Sequence, residues 1–307
     1  MTRGVVTIAT GNERYYRMAC NLLYSIRLSN PQLKVAIITD KNNKYISEFD
    51  NVVILEKPNK SYMDKIDLLI NCPYDENIFI DADSLVYSNI DYLWKKFASG
   101  SDFSCFGEKL SLDSKEGYFD KEDVGEYTDK LKYITRLHGG LYFIRRGEYC
   151  RELWELCQNI KNNYSKYSFR MFKQPADEPI IALACAVKNV ELIPRLNDIC
   201  FYPVVSKVKI CKKSKSVEYK EQKIKYRGCL IHFGNVNTEK PLYLFEKERL
   251  TEIYKYGRSD VLLYGLKLKY YYLLWKYYLG TLPRAKNTIY EIMPAVLKKI
   301  YHYYKER

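Results

Sequence analysis

No two of the nine cysteines stand as a CxxC pair, and their number is odd. With no signal peptide pattern, that spacing reads as reduced thiols of a cytosolic protein. No stretch offers the roughly 20 uninterrupted apolar residues of a spanning helix. The opening MTRGVVTIATGN runs straight into a strand pattern without a signal-type apolar segment. The expected location is cytoplasmic, at most peripheral on the inner face of the plasma membrane. Histidine is scarce, occurring only at His138, His232 and His302. Glycine is scarce where a phosphate loop would need it: ATGNERYY after the first strand holds one. That counts against a nucleotidyltransferase making nucleotide sugars, the nearest enzymatic alternative.

Basic residues and tyrosine are abundant instead. The formal charge is +13, and 31 residues are tyrosine. Such a surface favours an anionic partner: nucleic acid, acidic lipid or a phosphorylated small molecule. The lysines are spread out, and paired carboxylates after a buried strand would repel a nucleic-acid backbone. A nucleic-acid binder that stacks bases on its aromatics is therefore the weaker class, and no nucleic-acid partner is expected.

Short β-branched or apolar runs at 5–10, 33–39, 52–55 and 77–80 alternate with helical patterns at 18–26 and 62–70. In the second of these helices Met63, Ile66 and Leu69 or Ile70 share a face. Strands alternating with helices predict an α/β fold with a mostly parallel sheet. Residues 107–136 are polar and lack periodicity, and are expected to be irregular structure over an active-site face. A strand is expected at 140–144, helices at 150–160 and from Asp177, a solvated hairpin or mobile loop at 206–227, and a last strand at 228–233. A domain boundary is placed near 250, giving a catalytic domain 1–249 and a helical tail 250–307.

The stretch IFIDADSLV ends a buried-looking run on Asp81 and Asp83. In open α/β sheets ligands bind beyond the carboxyl ends of the strands. Two carboxylates so close repel unless a cation joins them, and hard oxygen ligands suit Mg²⁺ or Mn²⁺ held jointly with phosphate oxygens. His232, within HFG at a strand end, is a candidate third ligand. Lys65 and Lys240 are candidate point charges for phosphate. Asp91 reads as a turn or cap carboxylate, and Asp40 as a strand end. Asp177 reads both as a helix-start carboxylate and as a group that can point into a pocket.

From residue 5 to about 244 these features resemble glycosyltransferase family 8, the group of glycogenin and the bacterial lipooligosaccharide galactosyltransferases. The resemblance implies a GT-A nucleotide-diphospho-sugar transferase fold, a UDP-sugar donor, Mn²⁺ (or Mg²⁺) and hexosyl transfer with retention. It implies that Asp81 and Asp83 form the metal motif around Ala82, and that His232 completes it. Ala9, Thr10, Asn12 and Tyr15 or Tyr16 match the loop that holds the nucleotide. Lys65 matches the basic residue reaching toward the diphosphate and sugar. His138, Gly139 and Gly140 match the sugar-pocket segment, and Asp177 with Glu178 matches the pair beside the donor sugar. Gly234 and Lys240 fall in the closing pyrophosphate motif, with Asn235 a candidate to share the role of the lysine. Three departures stand out: His138 replaces a usual Asn, Glu178 replaces a usual Gln, and HFGNVNTEKP is longer than the family's His-Phe-x-Gly-x-x-Lys-Pro. A preference for galactose or glucose is therefore not inherited.

From 250 to 307 the chain holds twelve tyrosines and eleven Lys or Arg against four acidic residues. A helix through 261–278 would place Leu262, Leu266, Tyr270, Leu273 and Tyr277 on one side, with Tyr271 and Leu274 opposite. Aromatic rings at headgroup depth and lysines on anionic lipid suit a membrane-surface element; packing on the catalytic domain is the other expectation. The first would suit a glycan or lipid-linked acceptor of lipopolysaccharide type.

Overall fold

The structure, a computed structural model, describes residues 1–97, 101–172, 175–194, 198–202, 205–211, 216–221 and 224–257. The chain divides into two compact units, Met1–Asn235 and Val236–Arg307. Most of the tyrosine-rich tail, 258–307, lies outside the described residues.

The first unit begins with β1 (Arg3–Ala9), buried along its length except at Arg3. It turns into α1 (Glu13–Ser29), where the Asn12 side chain accepts a hydrogen bond from the Arg14 N–H at 2.9 Å. That N-cap satisfies one orphan donor of the first turn. Next come β2 (Lys34–Thr39) and β3 (Asn51–Ile54), then a 3₁₀ segment, Tyr62–Asp67, running into the single turn α2 (Leu68–Asn71). The helical pattern at 62–70 is thus mostly 3₁₀, and it buries Met63, Ile66 and Leu69 while leaving Ile70 exposed. β4 (Glu76–Ile80) is buried at every position, and β5 (Ser84–Val86) and α3 (Asp91–Phe97) follow. The rest of the sheet is β6 (Phe103–Leu110) and β7 (Ile134–Arg145), backed by α4 (Glu148–Asn162) and α5 (Asp177–Val187).

The central sheet has six strands in the order β3-β2-β1-β4-β7-β6. β1 runs parallel to β2 and β4, β2 parallel to β3, and β7 antiparallel to both β4 and β6. Buried strand residues such as Val5, Ile37, Ile78 and Phe143 read as continuous apolar runs because the sheet is covered on both faces. Each such side chain contributes roughly 1.5–3 kcal/mol on burial. Residues 107–136 were expected to be irregular throughout, yet both ends are strand. Gly107 to Leu110 pair with Ile134 to Leu137 on an edge ladder. Glu108 and Lys109 face solvent there, whereas Ile134 and Leu137 of the partner strand are buried in the core, so only one strand of the pair carries an apolar signal.

A small sheet, β5-β12-β8, joins β5 to β8 (Ile199–Phe201) through β12 (Leu230–His232). The lysine-rich segment between them forms an antiparallel three-stranded sheet of β9 (Val205–Cys211), β10 (Ser216–Glu221) and β11 (Ile224–Gly228). It is anchored by buried Val217 and Tyr219, the latter donating its hydroxyl to the Ile199 carbonyl at 2.9 Å. The cysteines of described environment are buried, and none of them forms a disulfide.

In the second unit, α6 (Pro241–Tyr256) starts with Pro at a position where its missing N–H costs nothing and ends on Gly257 at φ 63°. It runs through residue 250 without a break. No described helix is long and apolar enough to cross a membrane.

Candidate metal centre and cleft

Parallel strands β1 and β4 deliver their carboxyl ends side by side, so Thr10 and Asp81 emerge at one edge. The backbone N–H of Asp81 donates to the Gly140 carbonyl at 3.0 Å, the last bond of the β4–β7 pairing direction. A tight turn follows: Ser84 N–H donates to the Asp81 carbonyl at 3.0 Å, and Ala82 N–H to Asp81 Oδ1 at 3.0 Å. Asp83 is buried within that turn. His232, distant in sequence, arrives by strand register. β12 lies antiparallel to β5 with His232 opposite Ser84, and Phe233 N–H donates to the Asp83 carbonyl at 3.2 Å.

The outcome is a cluster in which one ligand atom each of Asp81, Asp83 and His232 lies within 4.8 Å of the others. His232 Nε2 is 3.0 Å from Asp83 Oδ1 and 3.9 Å from Asp81 Oδ2. Buried Asp83 Oδ1 nevertheless accepts no aligned hydrogen bond. Two carboxylates and an imidazole that can bring ligand atoms within 4.8 Å of one another fit a divalent cation. Two carboxylates and one imidazole are a donor set suited to Mn²⁺ or Mg²⁺. Burial resists ionisation of Asp83, but the His232 imidazole and Lys65 outweigh it and hold the carboxyl below its ordinary range. Burial likewise opposes the charge on His232, and Asp83 and Asp81 reverse that effect and raise its pKa.

Lys65 projects from the 3₁₀ segment into the same space. Its Nζ is 2.6 Å from Asp81 Oδ2 and 3.8 Å from Asp177 Oδ2. Burial disfavours its charge, but Asp177 and Asp81 more than compensate and raise its pKa. Asp177 is the first residue of α5. The N-cap position is Ala176, which makes no side-chain cap, so Asp177 stands one residue inside the helix start. Its Oδ2 is buried without a hydrogen bond, and burial pushes the carboxyl up to about 7 despite Lys65, with Glu178 adding to the rise.

Glu178 points to β7. It accepts from Gly139 N–H at 3.0 Å through Oε1 and from the Tyr118 hydroxyl at 3.0 Å through Oε2. A Cβ on Gly139 would fall 2.2 Å from Glu178 Oε1, and one on Gly140 2.6 Å from His232 Nδ1. The His-Gly-Gly sequence is thus a spatial requirement: the strand must let two functional side chains close against its backbone. His138 Nε2 lies 3.4 Å from His232 Nδ1, and the Phe201 ring stacks on His232 with centroids 5.4 Å apart.

A cleft of about 260 Å³ opens beside the cluster and takes in Ala9, Thr10, Tyr15, Lys65, Asp81, Ala82 and Asp83. It also takes in Lys60, Ser61, Tyr62 and Asp64, which the sequence reading did not single out, and Asn235, which it did. Asn12 and Tyr16 serve elsewhere: Asn12 caps α1, and the buried Tyr16 donates its hydroxyl to Asp40. That bond gives Asp40 the structural role expected of it. Gly234 sits at φ 70° just after β12. Lys240 occupies the N-cap position of α6 in the second unit. A larger groove of about 690 Å³ lies at the amino end of β4, beside Trp154, Arg146 and Arg151. It contains none of these convergent groups, so size does not decide between the two.

No family model matches the chain, and no curated protein matches it. Solved structures do. A galactosyltransferase, LgtC, in complex with donor and acceptor sugar analogs superposes with a TM-score of 0.53 at 14% identity, over 87% of this chain and 100% of that one. An active-site mutant of LgtC superposes with a TM-score of 0.52 at 13% identity, over 82% and 95%. The mixed sheet with its flanking helices is therefore the GT-A nucleotide-sugar transferase fold.

Proposed function

We propose that the protein is a metal-dependent, retaining glycosyltransferase of the family 8 type, moving a hexose from a UDP-sugar to a hydroxyl of a glycan or lipid-linked acceptor. The observation that carries this reading is the convergence of Asp81, Asp83 and His232 on one point, beside Lys65, Asp177 and a cleft at the carboxyl ends of parallel strands.

Asp81, Asp83 and His232 would hold the ion. A divalent ion bound there supplies charge to offset a departing diphosphate. Lys65 adds a fixed positive charge within the same buried space, where it acts in low dielectric and needs no reorganisation. Asp177 lies across Lys65 from the metal cluster. In this position its carboxylate is suited to face the sugar carbon, where positive charge develops as the glycosidic bond breaks. Glu178, tied to Gly139 and Tyr118, fixes the wall of the sugar pocket. The basic, tyrosine-rich tail suits an anionic membrane surface and so an acceptor of lipopolysaccharide or cell-surface type.

The test is a screen of UDP-hexoses with Mn²⁺, following the released sugar or glycoside by proton NMR. Formation of a product with the anomeric configuration of the donor is expected. An inverted product, or no turnover of any UDP-hexose, would contradict the reading.

A further inference from the structure

Asp64 belongs to the cleft but to none of the roles above. It is 1% exposed, one residue before Lys65 on the 3₁₀ segment, yet the two side chains diverge. Lys65 reaches Asp81, whereas Asp64 reaches the end of β1. Its Oδ2 accepts the Thr10 hydroxyl proton at 2.7 Å, and its Oδ1 accepts from the backbone N–H of Asn59 at 2.6 Å and from Asn59 Nδ2 at 3.0 Å. The loop that makes these bonds is held in an uncommon shape. Lys60 adopts φ 55° and faces Gly11 at φ 75°, where an added Cβ would lie 3.2 Å from Lys60 Cβ. Left-handed backbone at a non-glycine residue persists where surrounding structure over-determines it, commonly at a binding site.

The chemistry of Asp64 decides what Thr10 can do. A carboxylate only accepts hydrogen bonds, and a hydroxyl has one proton and two lone pairs. With its proton committed to Asp64, Thr10 Oγ1 presents only lone pairs to the cleft. We infer that Asp64 is a positioning residue that makes Thr10 an obligate acceptor, so that the cleft selects a nucleoside diphosphate whose base offers a ring N–H, uracil, over one whose base offers a ring acceptor, cytosine. The inference rests on the nucleotide-sugar reading of this cleft and names the group that sets its base preference. Uracil N3–H would donate to Thr10 Oγ1. Cytosine N3 would set lone pair against lone pair.

Asp64→Asn reverses the polarity with almost no change of shape. The amide oxygen still accepts from Asn59, the amide N–H₂ donates to Thr10 Oγ1, and the Thr10 proton turns toward the cleft. Calorimetric titration of UDP and CDP, each with saturating Mn²⁺, reads the outcome as a ratio of dissociation constants. The wild-type chain is expected to bind UDP about tenfold or more tighter than CDP, and Asp64→Asn to lower that ratio by about tenfold, in part through tighter CDP binding. A general loosening of the cleft would weaken both ligands and leave the ratio in place. Thr10→Val, which removes the hydroxyl while keeping its shape, is expected to lower the ratio as well. A ratio unchanged in both variants, with UDP bound normally by the wild type, would overturn this assignment and leave the donor reading standing. Failure of the wild type to bind UDP at all would overturn both.

Discussion

Replacing Asp177 by Asn should stabilise the metal-free protein at alkaline pH while abolishing transfer. The Asp177 carboxyl is 3% exposed, and its pKa is displaced from 3.8 to about 7. At about 1.4 kcal/mol per unit, ionising it in place costs the folded state on the order of 4 kcal/mol once the pH is well above 7. Because the folded-state pKa is raised, the native protein binds this proton more tightly than the unfolded chain. The contribution is therefore fully favourable below about pH 4 and is lost as the pH rises toward 7 and beyond. Asparagine has no proton to lose. The stability difference between Asp177→Asn and wild type should be near zero at pH 4 and grow to about 2–4 kcal/mol in favour of the variant at pH 8, with the upper figure as the limit. Lys65 keeps Asp81 at 2.6 Å in the variant, so it is not stranded. Urea unfolding in EDTA at pH 4.5, 6 and 8 measures the difference directly. A difference independent of pH, or a variant less stable than wild type at pH 8, would show that burial does not hold the Asp177 proton.

Gly140→Ala should weaken Mn²⁺ binding by roughly 10–100-fold, because its Cβ falls 2.6 Å from His232 Nδ1 and must push the ring off the cluster. Isothermal titration with Mn²⁺ checks this, and an unchanged affinity would show that the ring has room to yield. Lys65→Met should destabilise the metal-free fold by about 3–5 kcal/mol, as removal of one partner from a buried charge group does. Added Mn²⁺ should restore part of that loss by offsetting Asp81. Thermal melts with and without the ion read both effects, and equal melting of variant and wild type would contradict the assignment.

The parallel strands and the Asp pair were legible in the sequence because burial on both faces leaves an unbroken apolar run, and carboxylates that end such a run are conspicuous. His232 was legible as a residue type at a strand end, but its meeting with Asp83 depends on the β12–β5 register, which no local pattern encodes. The strand at 140–144 was legible, but its extension back to Ile134 and its pairing with Gly107–Leu110 were not, because solvent-facing Glu108, Lys109 and Arg136 break the apolar pattern. Asp64 was missed for a different reason. In a short helical pattern it looks like any solvated carboxylate, and only the fold turns it inward onto Thr10 and Asn59. The near-total burial of Asp64 beside a left-handed Lys60 is a tertiary fact that composition and spacing do not carry.

If Asp81, Asp83 and His232 hold a divalent ion that joins the chain to a nucleoside diphosphate, nucleotide binding should depend on both the ion and these side chains. Calorimetric titration of UDP into the 307-residue chain, with and without Mn²⁺ and beside Asp83→Asn, is the test. Binding that requires Mn²⁺ and is lost in the variant is expected. UDP binding that is indifferent to the ion and to the substitution, or no binding in either condition, would contradict it.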